Sequence, residues 1–151
     1  MNLILEKTDQ MRYFTDMREV FDAANIAPED YDWYLSDIET NWTPPGFAPI
    51  DQWFSGEALA SFLCLHQLQF IWAVFSAVTK GFRLLPLNAP YVEGNPNYWN
   101  GSVVEPQLDG GIFEIAFWDS SAIILINLPA QAEQAFISRF ADTRLLATAR
   151  A

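Results

Sequence analysis

Residues 58–78 are twenty-one consecutive positions without a formal charge. A run of that length either crosses a bilayer or is wrapped by the rest of the chain, because about twenty apolar residues span the hydrocarbon core. Lys80 and Arg83 flank one end as membrane anchors would. The centre of the run reads Cys64-Leu65-His66-Gln67-Leu68-Gln69, however, and an imidazole and two amides at the bilayer midplane would be expensive without partners. The run is therefore assigned to the inside of a folded body. Ser55-Gly56-Glu57 opens a helix that reaches Cys64 or His66, and residues 68–79, rich in β-branched and aromatic side chains and apolar on both faces, suit a central strand. One long helix over 55–79 is the alternative that periodicity leaves open.

The neighbouring segments supply what such a strand packs against. Met11, Phe14, Met17, Phe21 and Ala24 recur at helical spacing, which predicts an amphipathic helix over 8–24 with Thr8 as N-cap and i,i+4 pairs Arg12–Asp16 and Arg18–Asp22. Residues 31–40 alternate, with Tyr31, Trp33 and Leu35 on one face and Asp32, Tyr34 and Ser36 on the other. The alternation fails at the end of this strand, where Asp37 and Glu39 fall on the face of Trp33. Proline and glycine make 43–49 a loop, and four prolines make 84–111 a long excursion with an edge strand near 102–104. Residues 112–118 and 122–127 read as a hairpin. A last helix over 129–141 starts with Pro129 at N1 and turns Ala132, Ala135, Phe136 and Phe140 inward, with Arg139 and Arg144 towards its negative end. The expected fold is α+β: a single domain over 1–151 in which an antiparallel β-sheet is flanked by N- and C-terminal helices. Leu3-Ile4-Leu5 before Glu6 is too short for the apolar core of a secretory signal.

Charge is distributed as unevenly as hydropathy. Between Glu19 and Thr79 stand nine carboxylates and no Lys or Arg, and residues 84–138 add six more acids without a cation. With a net charge of −11 the body repels nucleic acid and anionic membrane surfaces, and self-repulsion is a load that a basic partner relieves. A hydrophobic fraction of 51% means that a folded body, not a disordered tail, displays this acidity.

Familiar chemistries find few residues. One His and one Cys cannot furnish a zinc set, no acidic loop has calcium-binding spacing, and neither a phosphate loop nor a serine elbow is present. No cofactor or metal is expected. Cys64 is expected to be a small core hydrophobe and His66 a hydrogen-bonded core residue. Cysteine use favours the cytoplasm without fixing the redox compartment. Paired carboxylates are the one enzymatic lead: Asp37, Glu39 and Glu114 beside Trp33 would suit carbohydrate chemistry if their environments separated their pKa values.

Aromatic residues offer another use. Trp42, Phe47, Trp53, Phe54, Tyr91, Tyr98 and Trp99 stand in loop-rich sequence, where core packing is less automatic than for Trp72 or Trp118. Tryptophan and tyrosine anchor interfaces, and acids around them speed encounter with a basic partner. Asp30, Asp32, Asp37, Glu39 and Asp51, with Trp42 and Trp53 as anchors, are therefore the expected partner-binding residues.

The strand Trp33-Tyr34-Leu35-Ser36-Asp37-Ile38-Glu39, the core run Gln69-Phe70-Ile71-Trp72-Ala73-Val74-Phe75-Ser76 and the hairpin of 113–126 before a last helix resemble the small acidic immunity proteins of bacterial toxin and immunity pairs, such as those of contact-dependent inhibition. That resemblance covers about a third of the chain. It implies neutralisation in the cytoplasm of one cognate toxin, a basic protein partner that is often a nuclease, and it carries over no binding residue. A carboxylate-dependent enzyme and a structural homo-oligomer, a homodimer in the simplest case, are the alternatives.

Overall fold

The computed structural model describes residues 1–150. One seven-stranded sheet, antiparallel at every pairing, runs through it: β1 (Leu3–Glu6), β2 (Asp32–Thr40), β3 (Gln52–Phe54), β4 (Phe70–Val78), β5 (Phe113–Trp118), β6 (Ala122–Ile126) and β7 (Arg144–Leu145), in the spatial order β3-β2-β4-β5-β6-β1-β7. Three helices, α1 (Met17–Ala24), α2 (Gly56–Leu65) and α3 (Ala130–Arg139), cover one face. The α+β architecture is thus as its sequence leads one to expect, and among the described residues no helix is long and apolar enough to cross a membrane.

The charge-free run resolves into helix then strand. Ser55 caps α2 by accepting from the Ala58 N–H, and α2 ends before His66. β4 lies between β2 and β5, and its two faces feed two cores. Ala73, Phe75 and Ala77 join Trp33, Leu35, Ile115, Phe117 and the helices. Val74 faces the other way, onto a second core with Ile4, Ala116, Ile124, Val92 and Tyr98, which the 84–111 excursion covers. That is why β4 is apolar on both sides: it has protein above and below. The hairpin closes at Asp119 and Ser120, both at positive φ, the backbone that matches the twist of tight hairpins.

The structure departs from the sequence reading in several places. The helix expected over 8–24 begins only at Met17. Thr15 has φ of 61° and Asp16 takes the cap by accepting from the Arg18 N–H, so 8–16 is irregular chain; Met11 and Phe14 still pack on the core, which is what mimicked a helical stripe. Thr8 caps no helix: its hydroxyl accepts from the Gln10 N–H and donates to Asp142, while Arg18 pairs with Asp16 and Asp22 with Arg139. Residues 102–104 form no strand, and instead the Val104 carbonyl accepts from the Asn2 side chain. β1 and β3 were unexpected, and Arg144 lies in β7, paired with Glu6, not at the end of α3. Finally, Cys64 is exposed and His66 half-buried, its ring against Phe62 and Trp42, because α2 turns Leu59 and Leu63, not Cys64, to the core.

Candidate functional site

The fault in the alternation of β2 is a β-bulge. Register passes from Ser36 opposite Val74 to Glu39 opposite Trp72, with Asp37 at φ of 53° inside the break. Aspartate tolerates this left-handed backbone better than most residues. The inserted residue returns Ile38 to the face of Trp33, where it packs on the helix-side core. Asp37 and Glu39 consequently leave that face, contrary to expectation, and belong to the side covered by the excursion.

There Asp37 organises a corner of the sheet. One of its carboxylate oxygens accepts from the Val92 and Glu93 N–H groups, both at 2.9 Å, and its own N–H donates to the Asp51 carboxylate at 3.2 Å. Ser36, one residue earlier, donates to the Pro90 carbonyl at 2.7 Å. Acids from three separate segments, Asp37 and Glu39 in β2, Asp51 before β3 and Glu93 in the excursion, are thereby gathered at one corner. Among the described residues no Lys or Arg lies within ion-pair distance of any of these four.

Beside the acids lies a row of tryptophans. Glu39 stands opposite Trp72, the Trp72 and Trp118 ring centroids are 5.1 Å apart, and Trp99 from the excursion meets Trp118 edge-on at 4.8 Å. Each ring is half-buried. Trp72 and Trp118, expected to be core residues, do pack with Trp99 against the excursion-side core, as half-buried rings at its edge. Gly94, Asn95 and Pro96, which follow the clamped Glu93, edge a shallow pocket of about 340 Å³ floored by Trp99 and Trp118. On the other side of the clamp the excursion exposes Leu85 and Leu87, 91% and 99% accessible.

The remaining candidates are placed elsewhere. Asp30 is exposed on the turn before β2. Asp32 is withdrawn from the surface: it is 4% exposed and accepts from the Gly56 and Gly81 N–H groups, Lys80 and Arg83. Burial alone would raise its carboxyl, but these donors outweigh it and hold the group well below the usual carboxylate range. Trp53 is half-buried between the Tyr34 ring and the Arg83 guanidinium, a packing role. Trp42 is exposed but sits on the helix side, its indole donating to the Gln67 carbonyl.

The proposed carboxylate triad is not assembled. Glu114 is level with Ser76 and Tyr34, two strands and three residues from Asp37, which puts their Cα atoms more than about 10 Å apart. It is also fully buried, its oxygens taken by the Tyr98 hydroxyl at 2.6 Å and the Gln107 N–H at 2.9 Å. Burial pushes the Glu114 carboxyl up, and the Tyr98 hydroxyl well up, in a cluster that ties the excursion to β5. No known family model matches the chain, and no curated protein or solved structure is significantly similar to it.

Proposed function

We propose that the chain is a binding protein for a basic partner, an immunity-type inhibitor that covers a cognate toxin domain, of which a nuclease is the leading candidate, in the cytoplasm. The observation that carries this is the corner itself. Hydrogen bonds join Asp37 to Asp51 and to the Glu93 backbone, Glu39 follows two residues on in the same strand, and none of the four has a cation within ion-pair distance; half-buried tryptophans lie next to them. Like charges crowded at one place on a protein of net charge −11 destabilise it, and an oppositely charged surface relieves that. A domain that cleaves nucleic acid must be basic where the phosphates lie, so the same surface that attracts its substrate attracts this corner. The exposed Leu85 and Leu87 give the contact apolar reach beyond its charged rim.

Co-expression with the product of the reading frame directly upstream tests the reading in a cell: this chain should restore growth that the product alone abolishes. With the purified pair, stopped-flow association should slow steeply with salt, because steering between exposed charges is screened over about 10 Å at 0.1 M. The variant carrying D37N, E39Q, D51N and E93Q should lose most of that salt dependence. Failure to protect, or an on-rate insensitive to both salt and the four substitutions, refutes it.

A further inference from the structure

We infer that Asn100 is a site of self-modification: the turn it occupies holds its side-chain amide over the Gly101 backbone nitrogen, and the pair closes to a cyclic imide that water opens to aspartate or isoaspartate. Nothing in this depends on the binding role proposed above. Of the asparagines only Asn100 precedes a glycine, and with no Cβ on Gly101 the nitrogen is approached without hindrance. Both residues are exposed, on the stretch of the excursion between the short helical turn at Pro96–Tyr98 and the Val104 carbonyl that Asn2 holds.

The turn supplies what the reaction needs. The Ser102 N–H donates to the Asn100 Oδ1 at 2.9 Å. That bond closes a ring containing both reacting atoms, the Asn100 Cγ and the Gly101 nitrogen, and keeps the side chain folded over the peptide that follows it. It also sets a donor on the oxygen where negative charge develops during attack, as an oxyanion hole does. Among the described residues neither the Gly101 N–H nor the Asn100 Nδ2 makes a hydrogen bond, so nucleophile and leaving group are both free. Asn2, Asn95 and Asn127, by contrast, commit Nδ2 to the carbonyls of Val104, Tyr91 and Ile112. In the reaction the Gly101 nitrogen gives its proton to solvent and bonds to Cγ, the Cγ–Nδ2 bond breaks, and ammonia departs with that proton equivalent. One water then opens the imide; nothing is oxidised or reduced. Opening at Cγ gives aspartate, whereas opening at the main-chain carbonyl gives isoaspartate, whose backbone is one methylene longer. Either product puts a new carboxylate at the edge of the pocket floored by Trp99 and Trp118, on a body whose net charge is already −11.

The test incubates the purified full chain at pH 8 and follows it by peptide mass mapping. The peptide carrying Asn100 should gain the mass difference between an amide and an acid, split into two chromatographic forms of equal mass, and do so about tenfold faster than the peptides of the other asparagines. The folded chain should react at least as fast as the same chain unfolded in guanidinium. Ser102→Pro, an exposed substitution that removes the N–H on Oδ1 and leaves Asn100 and Gly101 in place, should slow the folded chain several-fold and leave the unfolded chain unchanged. Modification spread evenly over the asparagines, a folded chain slower than the unfolded one, or a Ser102→Pro variant as fast as wild type would overturn the inference. No partner enters the experiment, so its outcome is separate from that of the inhibitory role.

Discussion

Replacing Asp32 with Asn should destabilise the protein more than any other single change of charge. Its carboxylate is buried and accepts four hydrogen bonds: from the Gly56 N–H at 3.1 Å and Lys80 at 3.4 Å on one oxygen, and from the Gly81 N–H and Arg83, both at 2.8 Å, on the other. Gly56 is the first residue of α2, seated so close to the turn before β2 that a side chain there would collide with the Tyr31 and Pro28 carbonyls. Asp32 therefore joins the start of β2, the positive end of α2 and the turn after β4. The amide keeps the shape but leaves one oxygen position unable to accept and Arg83 without a counter-charge. Water takes up part of the charge left on Lys80 and Arg83, which are 44% and 43% exposed, so the loss of two charge-assisted hydrogen bonds costs about 3 kcal/mol, a fifth or more of the roughly 5–15 kcal/mol that holds a typical domain folded. Urea unfolding at pH 7 measures it. The pH dependence supplies a second check, because the folded carboxyl is held below its ordinary value of 3.8. Its contribution is present above that pH and is lost as pH falls through the folded value, so wild type and variant should converge in acid. A loss under about 1 kcal/mol at pH 7, or a difference that persists undiminished in acid, would show that the network is a surface ion pair of little weight.

Glu114 should behave with the opposite sign: burial raises its carboxyl above 4.5, so the stability it lends is complete below that pH and is lost as pH rises through the folded value. Glu114→Gln removes the charge but leaves the Tyr98 hydroxyl and the two Gln107 donors one acceptor oxygen fewer, so its urea midpoint should gain on that of wild type as pH rises from 4 to 8; a difference that does not change with pH would refute a buried carboxylate that ionises at a cost. Asp37→Ala should cost about 2–3 kcal/mol and speed amide hydrogen exchange at Val92 and Glu93, while Asp37→Asn, which tolerates positive φ and still accepts, should preserve most of the protection. Unchanged exchange in the alanine variant would mean that the excursion is fixed by its apolar contacts alone.

What was legible in the chain was what local pattern encodes. Alternation marked β2, the two-sided apolar run marked β4, and Asp119-Ser120-Ser121 between apolar stretches marked the hairpin, because in each case the burial that matters repeats along neighbouring residues. The bulge was visible as a fault at Asp37, but a fault does not say which way the chain recovers. Asp32 looked like one more free acid since its cations, Lys80 and Arg83, arrive 48 and 51 residues later. The tryptophan row was hidden for the same reason: β4, β5 and the excursion each contribute one ring, and only the tertiary fold brings the three together.

The placement of β1 has a consequence for how the molecule comes into being. Leu3 pairs with Leu125 and Ile4 with Ile124, so the strand at the front of the chain waits for one made roughly 120 residues later before it has a neighbour. Once β6 is made and until β1 docks on it, the outer edge of β6, four of whose five residues are Ile or Leu, stands open. Such long-range pairing is slow, and an unpaired apolar edge recruits other chains. Anything that delays the arrival of those first few residues should thus turn a folding chain towards self-association, even though the finished sheet closes over the same edge completely.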